Sequence, residues 1–200
     1  EAVCEEAHAL GLKVASHTSG GSGLLSAVRF GVDTIEHGHF ADDEILDLMA
    51  ERGTVLIPTL LVNERNFEFT PEEQGINPAG WRWLKAARAA KWDLMPRAKA
   101  RGITIVAGSD TGFMLEHGKR NAEEISLLVK GGLSSMEALV AATSAAADAI
   151  EVEAGRLAPG LYADIVFVAG DPLADITVLE DASKLEVFKG GRAVAGAAAV

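Results

Sequence analysis

Ala15-Ser16-His17-Thr18, Ile35-Glu36-His37-Gly38-His39 and Ala107-Gly108-Ser109-Asp110-Thr111 are the stretches whose reading decides the fold. Each follows a run of β-branched or apolar residues. Each puts a metal-capable side chain where a buried strand is expected to end. In a (β/α) barrel that end of the strand is where active sites are built. His17 and His37 lie on consecutive strand–helix units. Neighbouring parallel strands would set their imidazoles side by side, close enough to share one ion. Asp110 ends the fourth strand of the chain. Two imidazoles and one carboxylate delivered this way resemble part of a metal-dependent hydrolase centre, but three residues do not fill a binuclear one.

Working outward, helix and strand alternate, which predicts an α/β fold. Residues 1–10 read as a helix stopped by Gly11, and residues 20–30 as a second stopped by Gly31. Ile45, Leu48 and Met49 mark an amphipathic helix over 42–52, and Gly53 ends it. Thr54 to Ile57 is a buried-strand run closed by Pro58. Residues 59–80 read as a long irregular segment. Asn77-Pro78 then opens a helix that Pro96 is expected to kink or divide. Ile103 to Ala107 is a strand, residues 123–130 a helix, and Ser134 and Ser135 cap a helix over 136–150. Beyond Gly155 the pattern changes. Residues 163–168 read as a strand, and 185–188 with 192–195 as a hairpin around Gly190-Gly191. Four strand–helix units stand where a closed barrel has eight, so the expectation is the C-terminal half of a TIM (β/α)8 barrel over 1–154. Residues 155–200 would then be strands of a small β-sandwich domain. Half a barrel leaves open sheet edges. The chain is therefore expected either to continue upstream of Glu1 or to be completed by a second copy in a homo-oligomer.

A formal net charge of −11 argues against binding nucleic acid through its phosphates and against a polybasic membrane contact. The one cysteine, Cys4, cannot form an internal disulfide, which fits a reducing compartment. No apolar run reaches the roughly 20 residues of a membrane helix. With no visible targeting segment, the expected location is cytoplasmic.

The order and spacing of several motifs resemble the amidohydrolase superfamily nearly end to end. They are Val32-Asp33-Thr34-Ile35-Glu36-His37-Gly38, Ile57-Pro58-Thr59-Leu60, Gly108-Ser109-Asp110, His117-Gly118-Lys119-Arg120-Asn121 with Glu123-Glu124, and Gly155-Arg156-Leu157-Ala158-Pro159-Gly160 with Gly170-Asp171-Pro172-Leu173. Within the superfamily, the imidazolonepropionase-like and Xaa-Pro dipeptidase-like branch is the closest match. The resemblance implies that His17 and His37 are the metal ligands of strands five and six. It implies that Asp110 is the strand-eight ligand and the catalytic residue that takes the proton of the attacking hydroxide. It also implies a divalent metal, with Zn as the default, and hydrolysis of C–N bonds in cyclic amides or dipeptide-like small molecules. The same centre supports phosphotriester or lactone hydrolysis, and a non-catalytic remnant of the fold is the alternative of a different kind. The family's His-x-His pair and bridging lysine match nothing here, so the isolated chain is expected to bind metal weakly and not to turn over.

Three further side chains are candidate substrate contacts. His39 lies just past His37, and His117 sits on the loop after Asp110. Arg65 lies on the long segment after the third strand and offers a partner for a substrate carboxylate. A loop-structural role for His117 and a solvated Arg65 are the plainer readings. His8, inside a helix, is read as structural. Trp81, Leu84 and Arg88 share a helical face and are read as packing.

Overall fold

The computed structural model describes residues 1–112 and 114–196; the Ala-rich end of the chain, residues 197–200, falls outside them. The first 57 residues alternate as expected. The elements are α1 (Ala2–Ala9), β1 (Ala15–Gly20), α2 (Gly21–Arg29), β2 (Thr34–Phe40), α3 (Asp43–Arg52) and β3 (Val55–Ile57). The three strands form a parallel sheet in chain order. The segment expected as a strand over Ile103–Ala107 forms no full strand; a single parallel bridge between Leu56 and Ile105 sets it beside β3. Leu56 N–H donates to Thr104 O at 2.9 Å, and Leu56 O accepts from Val106 N–H at 3.0 Å.

Periodicity explains the helices. In α3 the Asp42 carboxylate caps Ile45 N–H at 3.0 Å, Ile45, Leu46 and Met49 are buried, and left-handed Gly53 ends the helix. These side chains pack with Leu24 and Val28 of α2 against Ile35 and Leu56, which lie opposite one another on β2 and β3. Each such side chain contributes about 1.5–3 kcal/mol by leaving water.

Four expectations need correction. The segment after β3 is not wholly irregular. Leu60–Arg65 form α4 and residues 66–68 a 3-10 turn, because a buried carboxylate, Glu124, receives the first amides of α4. Pro96 does not divide its helix: α5 runs unbroken from Pro78 to Ala100, capped by Asn77. Its buried face of Ala87, Lys91, Leu94, Met95 and Ala98 outweighs the one backbone bond lost at exposed Pro96. The helix expected over 136–150 is two, α7 (Ser135–Ala141) and α8 (Ser144–Ala149), parted at Thr143. The two candidate ligands also lie inside β1 and β2 rather than just beyond them.

The C-terminal region is an antiparallel sheet of β4 (Ile165–Val168), β5 (Leu185–Lys189) and β6 (Arg192–Ala195) in that order. Gly190 and Gly191 both have positive φ, as a two-residue hairpin turn requires. Ile176, Val178 and Leu179 attach this region to α6 (Asn121–Lys130) through Ala122, Ile125 and Val129. No helix among the described residues is long and apolar enough to cross a membrane.

Candidate metal-binding site

The strand register sets the two imidazoles together. His17 pairs with Glu36 across β1–β2, and Thr18 with His37. One extra residue on β2 then breaks the ladder between Thr18 and Gly20, where Gly20 meets Phe40. Such a bulge re-aims side chains. His37 (φ 75°) and Gly38 (φ 59°) both adopt left-handed backbone there. Gly38 is required: a Cβ would lie 3.1 Å from Leu56 Cδ1 in a conformation that L side chains rarely adopt.

The result is a convergence of ring nitrogens. His37 Nε2 lies 3.0 Å from His17 Nδ1, with the rings edge to face. Two nitrogens bound to one tetrahedral zinc at ~2.0–2.1 Å would stand roughly 3.3 Å apart, so the observed spacing suits a shared ion. His37 Nδ1 is 2.7 Å from Thr59 Oγ1, the kind of partner that orients a ligating imidazole. Burial, the Lys91 charge and His17 together pull the His37 imidazole down to about 4. At neutral pH the ring is therefore neutral and has a lone pair to give.

The other candidates fall out as follows. Asp110 stands exposed with a left-handed φ of 51° at the end of the fourth strand segment. Among the described residues no three His, Cys, Asp or Glu groups gather closely enough to hold a metal ion, so the structure brings His17 and His37 together without Asp110. His39 is buried, stacks on His37 at 5.4 Å and takes Trp83 edge-on. Its Nε2 meets Asn63 Nδ2 at 2.7 Å, and its Nδ1 has no partner. Burial first, then Lys91, pulls it down to about 3. His117 is exposed, with Nδ1 3.1 Å from Thr111 O. Arg65 is occupied: its Nε–H donates to Glu123 at 2.8 Å and a terminal N–H to Glu68 at 2.8 Å. A cavity of about 700 Å³ lies between residues 107–109, α6, α7 and β4; neither His17 nor His37 lines it, so volume alone does not mark the site.

Sequence reasoning missed Lys91 and Glu124. Lys91 is 2% exposed, and Glu124 is 1% exposed. A signal was present. Lys91 stands at i+4 from Ala87 and at i−3, i−4 and i−7 from Leu94, Met95 and Ala98, the buried face of α5.

Parallel strands that set two imidazoles side by side at a β-bulge make this an α/β chain of hydrolase type. The chain belongs to the amidohydrolase family, whose pattern matches residues 1–194. It is 30% identical to an ochratoxinase of Aspergillus niger over 199 residues, 97% of this chain and 40% of that protein. It is similar in structure to a Xaa-Pro dipeptidase crystallised with methionine in its active site. The TM-score is 0.85 at 32% identity, over 98% of this chain and 48% of that one. The crystal structure of the ochratoxinase superposes with a TM-score of 0.83 over 97% of this chain. The chain thus spans about two fifths to one half the length of these relatives.

Proposed function

We propose that this chain is the C-terminal half of a metal-dependent amide hydrolase built on a (β/α)8 barrel. Residues 1–154 would supply strands five to eight, and residues from 155 onward would supply strands of a small β-sandwich. The observation that carries the reading is the 3.0 Å approach of His17 Nδ1 and His37 Nε2 from neighbouring parallel strands, in a chain of this family. Two imidazoles suit Zn, the default ion, and fall short of the three protein ligands a catalytic zinc uses. In this reading His17 and His37 would hold one ion of a pair and Asp110 the other, with the remaining ligands supplied from outside these 200 residues. When bound, a divalent ion supplies Lewis-acid polarisation of an amide carbonyl and acidifies water. The Asp110 carboxylate oxygen accepts the proton of the attacking water and passes it to the departing amine nitrogen. Substrates of this reading are dipeptide-like or cyclic amides, in keeping with the dipeptidase and ochratoxinase relatives. His39, whose Nδ1 has no partner among the described residues, and exposed His117 are the substrate contacts we assign. Arg65 is left out because Glu68 and Glu123 already hold it.

The test is hydrolysis of a panel of Xaa-Pro and N-acyl dipeptides by the full-length polypeptide that carries this chain, followed by amine release. Activity should vanish with a chelator, return with zinc, and collapse in His37→Ala at unchanged circular dichroism. Turnover indifferent to both chelator and His37→Ala would end this reading.

A further inference from the structure

Thr59 is the group behind His37, and its backbone is unusual. A β-branched residue at φ 48° and ψ 54° lies in the left-handed region that such side chains avoid. Strain of this kind persists only where the surroundings over-determine it, and it gathers at functional sites. Here the surroundings grip from both sides. The Lys91 ammonium donates to Thr59 O at 2.5 Å and to Thr59 Oγ1 at 3.0 Å. The Glu124 carboxylate accepts the next two amides, Leu60 N–H at 2.9 Å and Leu61 N–H at 2.6 Å. Lys91 comes from α5 and Glu124 from α6, so two successive helices clamp one turn at the end of β3.

We propose that Lys91 and Glu124 are positioning residues for metal binding: they hold Thr59 in its left-handed conformation so that Thr59 Oγ1 accepts Nδ1–H of His37 and leaves the Nε2 lone pair facing His17. The inference rests on His37 being a metal ligand, as the proposed function has it. The Thr59 hydroxyl oxygen has two lone pairs, one for Lys91 and one for His37. Lys91 has no acceptor capacity while charged, so its bonds run only toward Thr59. Burial pushes the Lys91 ammonium down and the Glu124 carboxyl up, and each opposes that shift in the other by its charge. A fold that spends two buried, opposed ionisable groups on one strained turn is shaping that turn. Among the described residues, the one side-chain bond of Thr59 outside the clamp goes to His37.

The experiment uses the full-length polypeptide, metal-free, as wild type, Thr59→Val, Thr59→Ser and the paired Lys91→Met/Glu124→Gln, which removes both charges together. Zinc affinity is read by competition with a chromophoric chelator. The protonated ring nitrogen of His37 is read by long-range proton–nitrogen correlation on nitrogen-15 histidine. Outer partners of a ligand typically change affinity by about 10- to 100-fold. Thr59→Val and the paired variant should weaken zinc by that factor and blur His37 from one tautomer into two, while Thr59→Ser keeps both properties. Zinc affinity within twofold of wild type and an unchanged His37 tautomer in Thr59→Val and in the paired variant would overturn the proposal. If the paired variant does not fold, the Thr59→Val and Thr59→Ser contrast still decides. Should His37→Ala leave zinc binding intact, the metal reading itself fails, and the tautomer data then judge the clamp alone.

Discussion

Placing a methyl group on Gly108 tests how tightly the end of the fourth strand segment is packed, two residues ahead of Asp110. A Cβ there would lie 2.5 Å from Ile57 Cγ2 and 4.0 Å from Ile57 Cβ, and would meet no other atom within 4 Å. Carbon atoms in contact sit at ~3.5–4.0 Å, so more than an ångström must be found. Gly108 is outside the left-handed region, so the backbone tolerates alanine and the clash is the whole cost. Overpacking of this kind costs about 1–3 kcal/mol. Ile57→Ala alone should cost about 2 kcal/mol, the low end for a large-to-small change, because Ile57 is only half-buried. With both changes together the Gly108 methyl enters vacated space, so the second substitution should cost nothing further. The coupling is then about −1 to −3 kcal/mol, measured as a double-mutant cycle in urea. Zinc affinity should dip in Gly108→Ala and recover in the double variant, since the displaced strand carries Asp110. Costs that simply add to within about 0.5 kcal/mol would refute the close approach.

Three other outcomes follow from local geometry. Ser134 and Glu137 form a capping box on α7, so Ser134→Ala should lose about 1 kcal/mol of stability, read from the urea midpoint, whereas Ser134→Asp should not. Lys99 first, then Ser134, hold the Glu137 carboxyl down at about 2, below its usual 4.5. Its contribution is therefore full above pH ~4.5 and fades as pH falls toward 2, so Glu137→Gln should differ most from wild type above pH ~4.5 and converge with it as pH approaches 2. Burial lowers His39 from 6.5 to about 3, so its neutral form is the folded one. Stability tied to it is complete above pH ~6.5 and is lost as pH falls through the interval toward 3. A melting temperature in His39→Asn that tracks wild type between pH 7.5 and 5 would count against this.

The legible part of this protein was what short-range patterns encode. The strands that carry His17 and His37, though not where those strands end, the glycine stops, the capping serine and the Gly190–Gly191 hairpin each follow from a few neighbouring residues, and each stands in the structure. The illegible part depends on contacts between distant segments. Leu60–Arg65 looked irregular because what starts that helix is Glu124, more than sixty residues on. Glu123 and Glu124 are the same residue type side by side. One faces Arg65 and Arg120 near the surface, and the other is buried. Only helical phase separates them: Glu124 lies one turn before fully buried Leu128.

That same division bears on how the site is built. The imidazoles arrive by local rules, strand alternation plus one bulge, and such rules bring a side chain to the right place without fixing how its ring is turned. A ring 3.0 Å from its neighbour can act as a hydrogen-bond partner or as a co-ligand, and the difference lies in which nitrogen carries the proton. For His37 that choice is made at Thr59, which is held in turn by α5 and α6. A buried lysine and a buried glutamate would each be a liability in a domain selected for stability alone. Set on either side of one strained threonine, they make the orientation of His37 depend on helices packed behind the sheet. Substitutions on the hidden face of α5 should therefore reach His37 through Thr59, whereas substitutions on its exposed face, such as Lys85 or Ala89, should not.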